Sequence, residues 1–393
     1  MKIVAVLETT LKAGGAHNQS LNALIQMKRI CEGRYNLEVI AFDLESVNLL
    51  NEKGFNGVMI KFSILEKFKN KLFQAASRCH LFSSNFLFPI ETRLLKIDTD
   101  LIYFVGPSLH SLKIKKLNYI FTLFDLAHRD HPEFPEVREY NEFRIREELY
   151  SKVISQSFLT LTDSSKLLEN VSRFYGVDSS RLLSMPFAPS SDLGYKSCSI
   201  TEVRDYYKLP ELYFFYPAQF WPHKNHIRIL EALTLLNKQG KTMHVVFSGG
   251  DKGSMNNVIK KVNTLTLTDQ VHFLGLVPHE HMKSLFQGSC GVIMPTYFGP
   301  TNLPPLEAWS LGVPLIYSKH LADHTEDAAL LVDSDSAESL SLAMLKITIP
   351  EVKEQLVING HLRIEAINIE RELCELKLLE RLMTFDERRK CWI

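Results

Sequence analysis

Short apolar runs recur along this chain, each followed by a longer stretch with helical spacing, which is the signature of parallel strands joined by crossover helices. Residues 2–7 read as a buried strand, 8–15 as a loop, and 16–30 as a helix whose apolar positions include Leu21, Leu24, Ile25 and Met27. Further strands are predicted at 37–42, 101–105, 119–123 and 158–162. A second series places strands at 213–216, 244–248, 271–274, 291–294 and 314–317, with helices at 227–238, 255–264, 279–286 and 304–311. Between the series lies Met185-Pro186-Phe187-Ala188-Pro189-Ser190-Ser191, whose prolines and serines suit a connection between domains. With 393 residues the chain exceeds the size of one usual core. The prediction is an α/β protein of two Rossmann-like, doubly wound parallel-sheet domains, 1–188 and 189–370, with 371–393 as a C-terminal helix that can return to the first. Two such domains set their strand-end loops across a cleft, where ligands of open parallel sheets bind.

Composition removes several classes of function. Lys+Arg and Asp+Glu both number 45, so there is no overall charge to draw nucleic acid. The cysteines at 31, 79, 198, 290, 374 and 391 form no C-x-x-C pair and no zinc-like spacing, and read as isolated thiols of a reducing cytosol. No stretch approaches the roughly 20 apolar residues that span a bilayer, and the run 3–7 is too short for a signal-peptide core. The expected location is the cytoplasm.

Two segments carry the chemistry. In Pro295-Thr296-Tyr297-Phe298-Gly299-Pro300-Thr301-Asn302-Leu303-Pro304-Pro305-Leu306-Glu307, a strand turns into a helix whose first turn contains two prolines. Proline suits that turn because its N–H groups have no intrahelical acceptor. The amides of Thr301, Asn302 and Leu303 can then meet an anion, and a diphosphate suits the place. Glu307, one turn further in, can accept hydrogen bonds from the hydroxyls of a ribose. A proline-capped helix with a solvated Glu307 is the plain alternative. In the second segment, 213–226, a strand leads to Gln219, Phe220, Trp221, His223 and Lys224. Lys224 near the next helix start is a point charge for phosphate; the alternative is a surface lysine beside packing aromatics.

Together these segments resemble the family 4 glycosyltransferases, retaining enzymes of the GT-B fold. The resemblance extends through Val246-Phe247-Ser248-Gly249-Gly250, 271–275 and 326–332. It implies that Lys224 binds the donor diphosphate, that Glu307 binds the ribose, and that Gly275 and Leu276 border the base. Family members commonly carry two glutamates separated by seven residues, and Gly299 stands at the first of these positions. Gln219 stands where many have an arginine. Asn302, with His223 or Arg228, is expected to supply what these two lack.

In the first domain, Gly14 and Gly15 let the backbone of the opening loop approach a ligand closely, and the resemblance sets that loop against donor phosphates and acceptor. At the end of the strand 119–123, Asp125 and His128 are candidate catalytic residues: His128 can bond the transferring sugar or the acceptor hydroxyl, and Arg129 an anion. A polar surface loop is the alternative. Residues 61–97 mix Lys61, Lys67, Lys69, Lys71 and Arg78 with Phe62, Phe68, Phe73, Phe82, Phe86 and Phe88. Such mixtures lie on anionic membranes, so this patch is a candidate contact with the inner face of the membrane; core helices with solvated lysines explain it too.

The sequence thus implies a retaining transfer from a nucleoside-diphosphate sugar to a glycan or lipid-linked glycan, as in surface polysaccharide or lipopolysaccharide synthesis. No cofactor or essential metal is expected. With no D-x-D motif and no obvious general base, the resemblance has the leaving phosphate take the acceptor proton. Rival readings are a sugar-nucleotide epimerase, an inverting transferase, and a silent GT-B subunit that binds glycan or nucleotide.

Overall fold

A computed structural model of the chain describes residues 1–10, 14–66, 68, 87–190, 197–299 and 302–392. They fall into two compact units: Met1–Asp125, Arg144–Phe187 and Arg371–Ile393 form the first, and Leu126–Phe143 with Ala188–Glu370 form the second.

The first unit contains β1 (Lys2–Leu7), β2 (Asn36–Ala41), β3 (Gly57–Met59), β4 (Leu101–Phe104), β5 (Asn118–Thr122), β6 (Leu159–Thr162) and β7 (Leu182–Ser184). Their order is β3-β2-β1-β4-β5-β6-β7, and every pairing is parallel. Ile3 to Leu7 are buried throughout, as expected of a central strand covered on both faces. The helix Gly15–Cys31 follows β1 and turns Ala23, Leu24 and Met27 onto the sheet. The same core takes Cys374, Leu378, Leu382 and Phe385 from the C-terminal helix Pro350–Arg389. Arg389 ties that helix down through Asp100, at 2.5 Å.

The second unit contains β8 (Phe214–Pro217), β9 (Val245–Ser248), β10 (Val271–Phe273), β11 (Gly291–Met294), β12 (Leu315–Ser318) and β13 (Leu330–Val332). Their order is β10-β9-β8-β11-β12-β13, again all parallel. Phe214, Phe215, Tyr216, Phe247, Phe286, Trp309 and Tyr317 fill its interior. Leu126–Phe143 clusters here and not with the strands that precede it.

Every strand predicted from an apolar run is present, with ends shifted by a residue or two. The three extra strands, β3, β7 and β13, are three residues each. They are edge strands, and so short a run carries no periodicity to read. Of the basic and aromatic patch at 61–97, Lys67, Lys69, Lys71, Phe73, Arg78, Phe82 and Phe86 lie outside the described residues. Phe88 is buried, and Phe62 stacks on Phe42 and tilts against His110 with Arg93 over its ring, while Phe68 is exposed. Among the described residues no helix is long and apolar enough to cross a membrane.

Chain order reverses between β1 and β4 in one sheet and between β8 and β11 in the other. Ligands of open parallel sheets bind beyond the strand C-termini at such a reversal. In the second unit that point is bounded by residues 218–225 after β8 and by the turn after β11. Gly249, at the end of β9, shapes its floor: its φ is +149°, and a Cβ there would lie 2.4 Å from the carbonyl oxygen of Ala218. Both the conformation and the space require glycine. Gly249→Ala is expected to destabilise the fold by about 2–4 kcal/mol, read from the denaturant midpoint; an unchanged midpoint would contradict this packing.

Candidate functional site

The site in the second unit begins with a short 3-10 turn, Pro222–Lys224, which delivers Lys224 to the head of the helix His226–Lys238. Asn225 ends that turn in the left-handed region, φ 58°, and its carboxamide donates to the carbonyls of Pro295, at 3.0 Å, and Ser334, at 2.8 Å. Tyr216 from β8 donates to the Lys224 carbonyl at 2.8 Å. The loops that follow β8, β11 and β13 are thereby locked together, and Lys224 has a fixed base.

Across the reversal, the helix Leu303–Ser310 starts one residue earlier than its prolines suggest, with Asn302 at the N-cap. Asn302 makes no side-chain capping bond. Its Oδ1 accepts from Lys224 Nζ at 2.8 Å, while Nδ2 donates to the Gly299 carbonyl at 3.0 Å and to the Tyr317 hydroxyl at 2.7 Å. Both N–H bonds of a primary carboxamide are then committed. The side chain of Asn302 thus aims Lys224 while its own N–H groups hold Gly299 and Tyr317. Gly299 has φ +118°, and a Cβ there would lie 2.7 Å from that carboxamide. Any other residue at 299 would have to adopt this strained backbone angle and push the Asn302 carboxamide aside.

Leu303 and Glu307 are both buried. Burial pushes the Glu307 carboxyl up to about 7, against one backbone hydrogen bond from Ser190 that favours its anion. Gly275, with φ +66°, accepts from the Gly249 amide at 2.8 Å, and Leu276 beside it is exposed next to Gly250. Gln219 accepts from the Trp221 indole at 3.2 Å, and Lys252 lies over the Trp221 ring. Thr301 lies outside the described residues.

His223 is more firmly held than its sequence suggests. Glu136, from the segment 126–143, bonds its Nδ1 at 2.5 Å and accepts from its amide at 3.1 Å, and Phe298 stacks on its ring at 3.8 Å. Burial raises the Glu136 carboxyl, but the bonds from His223 outweigh it and leave the group below its ordinary value. Arg228 likewise bonds the Ser334 carbonyl at 3.2 Å and Glu231 at 2.9 Å. Both residues expected to replace missing donor contacts thus have structural work. His128 is fully buried, edge-on to Phe143.

In the first unit, Asp125 accepts from Arg146 at 2.8 Å. Gly14 caps the helix Gly15–Cys31 with φ 61°, and its carbonyl receives the His17 and Asn18 amides at 2.9 and 3.1 Å. The point where chain order reverses also holds a cluster that sequence reasoning missed. Glu8 follows β1 and accepts from the Ser108 hydroxyl. Burial raises the Glu8 carboxyl and lowers Lys113, while their opposite charges pull each the other way. His110, 3.5 Å from Lys113, is pushed down to about 4 by burial. Roughly a hundred residues separate Glu8 from its partners, so no local motif announces them. Among the described residues no group of three or more His, Cys, Asp or Glu is placed to hold a metal ion.

Residues 203–360 match the family model described as Glycosyl transferases group 1. O-antigen chain mannosyltransferase B of Escherichia coli is 27% identical over 212 residues, which are 53% of this chain and 54% of that protein. The chain thus spans about half the length of that curated relative. The crystal structure of Anabaena Alr3699/HepE in complex with UDP-glucose superposes with a TM-score of 0.72 at 15% identity, over 98% of this chain and 100% of that one. WaaG, a glycosyltransferase involved in lipopolysaccharide biosynthesis, superposes with a TM-score of 0.65 at 14% identity, over 93% and 95%. The fold is GT-B.

The carboxyl at 307 has a consequence for stability. Its folded pKa of about 7 stands above the ordinary 4.5, so the folded chain holds this proton more tightly than the unfolded one. That contribution is complete below about 4.5 and is lost as pH rises through 7, roughly 3 kcal/mol in all. Glu307→Gln, neutral at every pH, is therefore expected to be more stable than the wild type at pH 8.5 and nearly equal at pH 5. Melting curves at the two pH values check this, and an equal difference at both would contradict it.

Proposed function

With a glycosyl transferases group 1 domain over residues 203–360 of a GT-B chain, we propose that this protein is a glycosyltransferase that moves a sugar from a nucleoside-diphosphate donor to a hydroxyl of a glycan or lipid-linked glycan. The setting is surface polysaccharide or lipopolysaccharide synthesis, and the transfer retains anomeric configuration without an essential metal. The names of the relatives support the setting; the UDP-glucose held by the Anabaena neighbour supports the donor class. The alternatives of a silent binding subunit or an epimerase are not favoured by these comparisons.

The observation that carries the reading is the 2.8 Å bond from Lys224 Nζ to Asn302 Oδ1 at the head of the helix Leu303–Ser310. A diphosphate docked there meets a fixed cation and the positive end of a helix. As the bond between the anomeric carbon and the phosphate oxygen breaks, its electron pair stays on that oxygen. Lys224 then faces growing negative charge, and stabilisation by such a preorganised group lowers the barrier. The acceptor oxygen bonds the anomeric carbon, and its proton passes to the departing phosphate. Glu307 accepts from the ribose hydroxyls, Gly275 and Leu276 border the base, and Gly14 with Gly15 let the opening loop approach the donor. Asp125 and His128 serve the sugar and acceptor side. With a lipid-linked acceptor, the exposed Ile64, Leu65 and Phe68 would supply an apolar contact at the bilayer surface.

Thermal-shift measurements against UDP, GDP, ADP, CMP and dTDP test the donor class, since a ligand bound by the native state alone raises its melting temperature. One nucleoside diphosphate is expected to give a clear rise in the wild type and little in Lys224→Ala, whose kcat for transfer should fall by about 100-fold or more. An undiminished Lys224→Ala enzyme would sink the reading. Because hydroxyls bond the anion of Glu307, affinity for that nucleotide should fall about tenfold per pH unit below 7. Calorimetric titrations from pH 5.5 to 8 measure this, and Glu307→Gln should flatten the profile.

A further inference from the structure

The helix Pro350–Arg389 is a single element of 40 residues with two apolar faces. One is buried through Leu356, Ile364, Ile367, Cys374, Leu378, Leu382 and Phe385. The other is in solvent: Leu362 is 60% exposed, Ile369 and Leu373 each 55%, Leu376 63% and Met383 44%. Their spacing of seven, four, three and seven residues is a heptad seam, about 32 Å long at 1.5 Å per residue. Solvated helices do not ordinarily carry so regular a row of large aliphatic side chains.

We propose that this seam pairs with the same seam of a second copy of the chain, the two helices running parallel. The charges beside it say what covers it. One edge carries Glu365 and Glu372, and the other carries Glu370 and Lys377, while Arg363 turns back to Glu326 and the His324 carbonyl of its own chain. In a parallel pair opposite edges meet, and Glu372 of one copy faces Lys377 of the other. In an antiparallel pair Glu372 would face its own counterpart. Acidic residues outnumber basic ones nine to seven along the helix, so an anionic lipid surface gains nothing from it. Glu380 falls within the seam and Glu365 opposes Glu370. Both weaken the contact, and the dimer is expected to dissociate on dilution. This inference is independent of the proposed reaction.

Sedimentation of the full chain from about 1 to 100 µM tests it. The expected result is a shift with concentration from the 45.1 kDa chain mass toward twice that value. Leu373→Glu with Leu376→Glu replaces two exposed side chains, so the melting temperature should hold while the dimer Kd rises by about 100-fold or more. Lys377→Glu, which leaves the seam intact, should raise Kd about threefold, and adding Glu372→Lys should restore it. A monomer at 100 µM, a dimer that survives the double seam substitution, or a charge swap that fails to rescue would each overturn the proposal.

Discussion

A lysine held at 2.8 Å by an asparagine at the head of a helix is the interaction on which the functional site depends. It works because the strand order reverses between β8 and β11, which brings two loops far apart in sequence to the same place. Lys224 alone would be a flexible surface cation. Fixed by Asn302 below its ammonium and by Tyr216 at its carbonyl, it becomes a preorganised electrostatic group, and preorganisation is what makes such a charge effective in catalysis. A side chain at 299 would displace the carboxamide that holds this lysine.

The second unit also carries a feature that works against its stability. Glu307 sits buried with its carboxyl raised to about 7, a position that an apolar or amide side chain would occupy at lower cost near neutral pH. Local conflicts of this kind are expected where function constrains a residue. The raised carboxyl shares an eight-residue helix with the N-terminus that faces Lys224, so in the proposed reaction one element would serve the diphosphate at its head and the ribose within its body.

Much of this was legible in the sequence, and what was legible was local. Buried parallel strands are continuous apolar runs, so β1, β2, β4, β5 and β6 could be read directly, as could their counterparts from β8 to β12. Prolines at 304 and 305 announced a helix start, and Lys224 stood at the other side of the same reversal. The short edge strands β3, β7 and β13 gave no such signal. Nor did the contacts that join distant segments: Glu136 to His223 across 87 residues, Glu8 to Ser108 across 100, Asn302 to Tyr317 around the β12 strand. These decide which polar side chains are committed to structure. Asn302 shows the difference: the sequence offers it as a candidate contact, but not its bond to Lys224.

The central claim is that an anionic leaving group docks where Lys224 meets the head of the helix Leu303–Ser310. The most direct measurement is a crystal structure of the chain with its preferred nucleoside diphosphate. The account predicts a phosphate oxygen within hydrogen-bond distance of Lys224 Nζ and the ribose hydroxyls on Glu307. A diphosphate bound elsewhere, with Lys224 still turned wholly to Asn302, would contradict it.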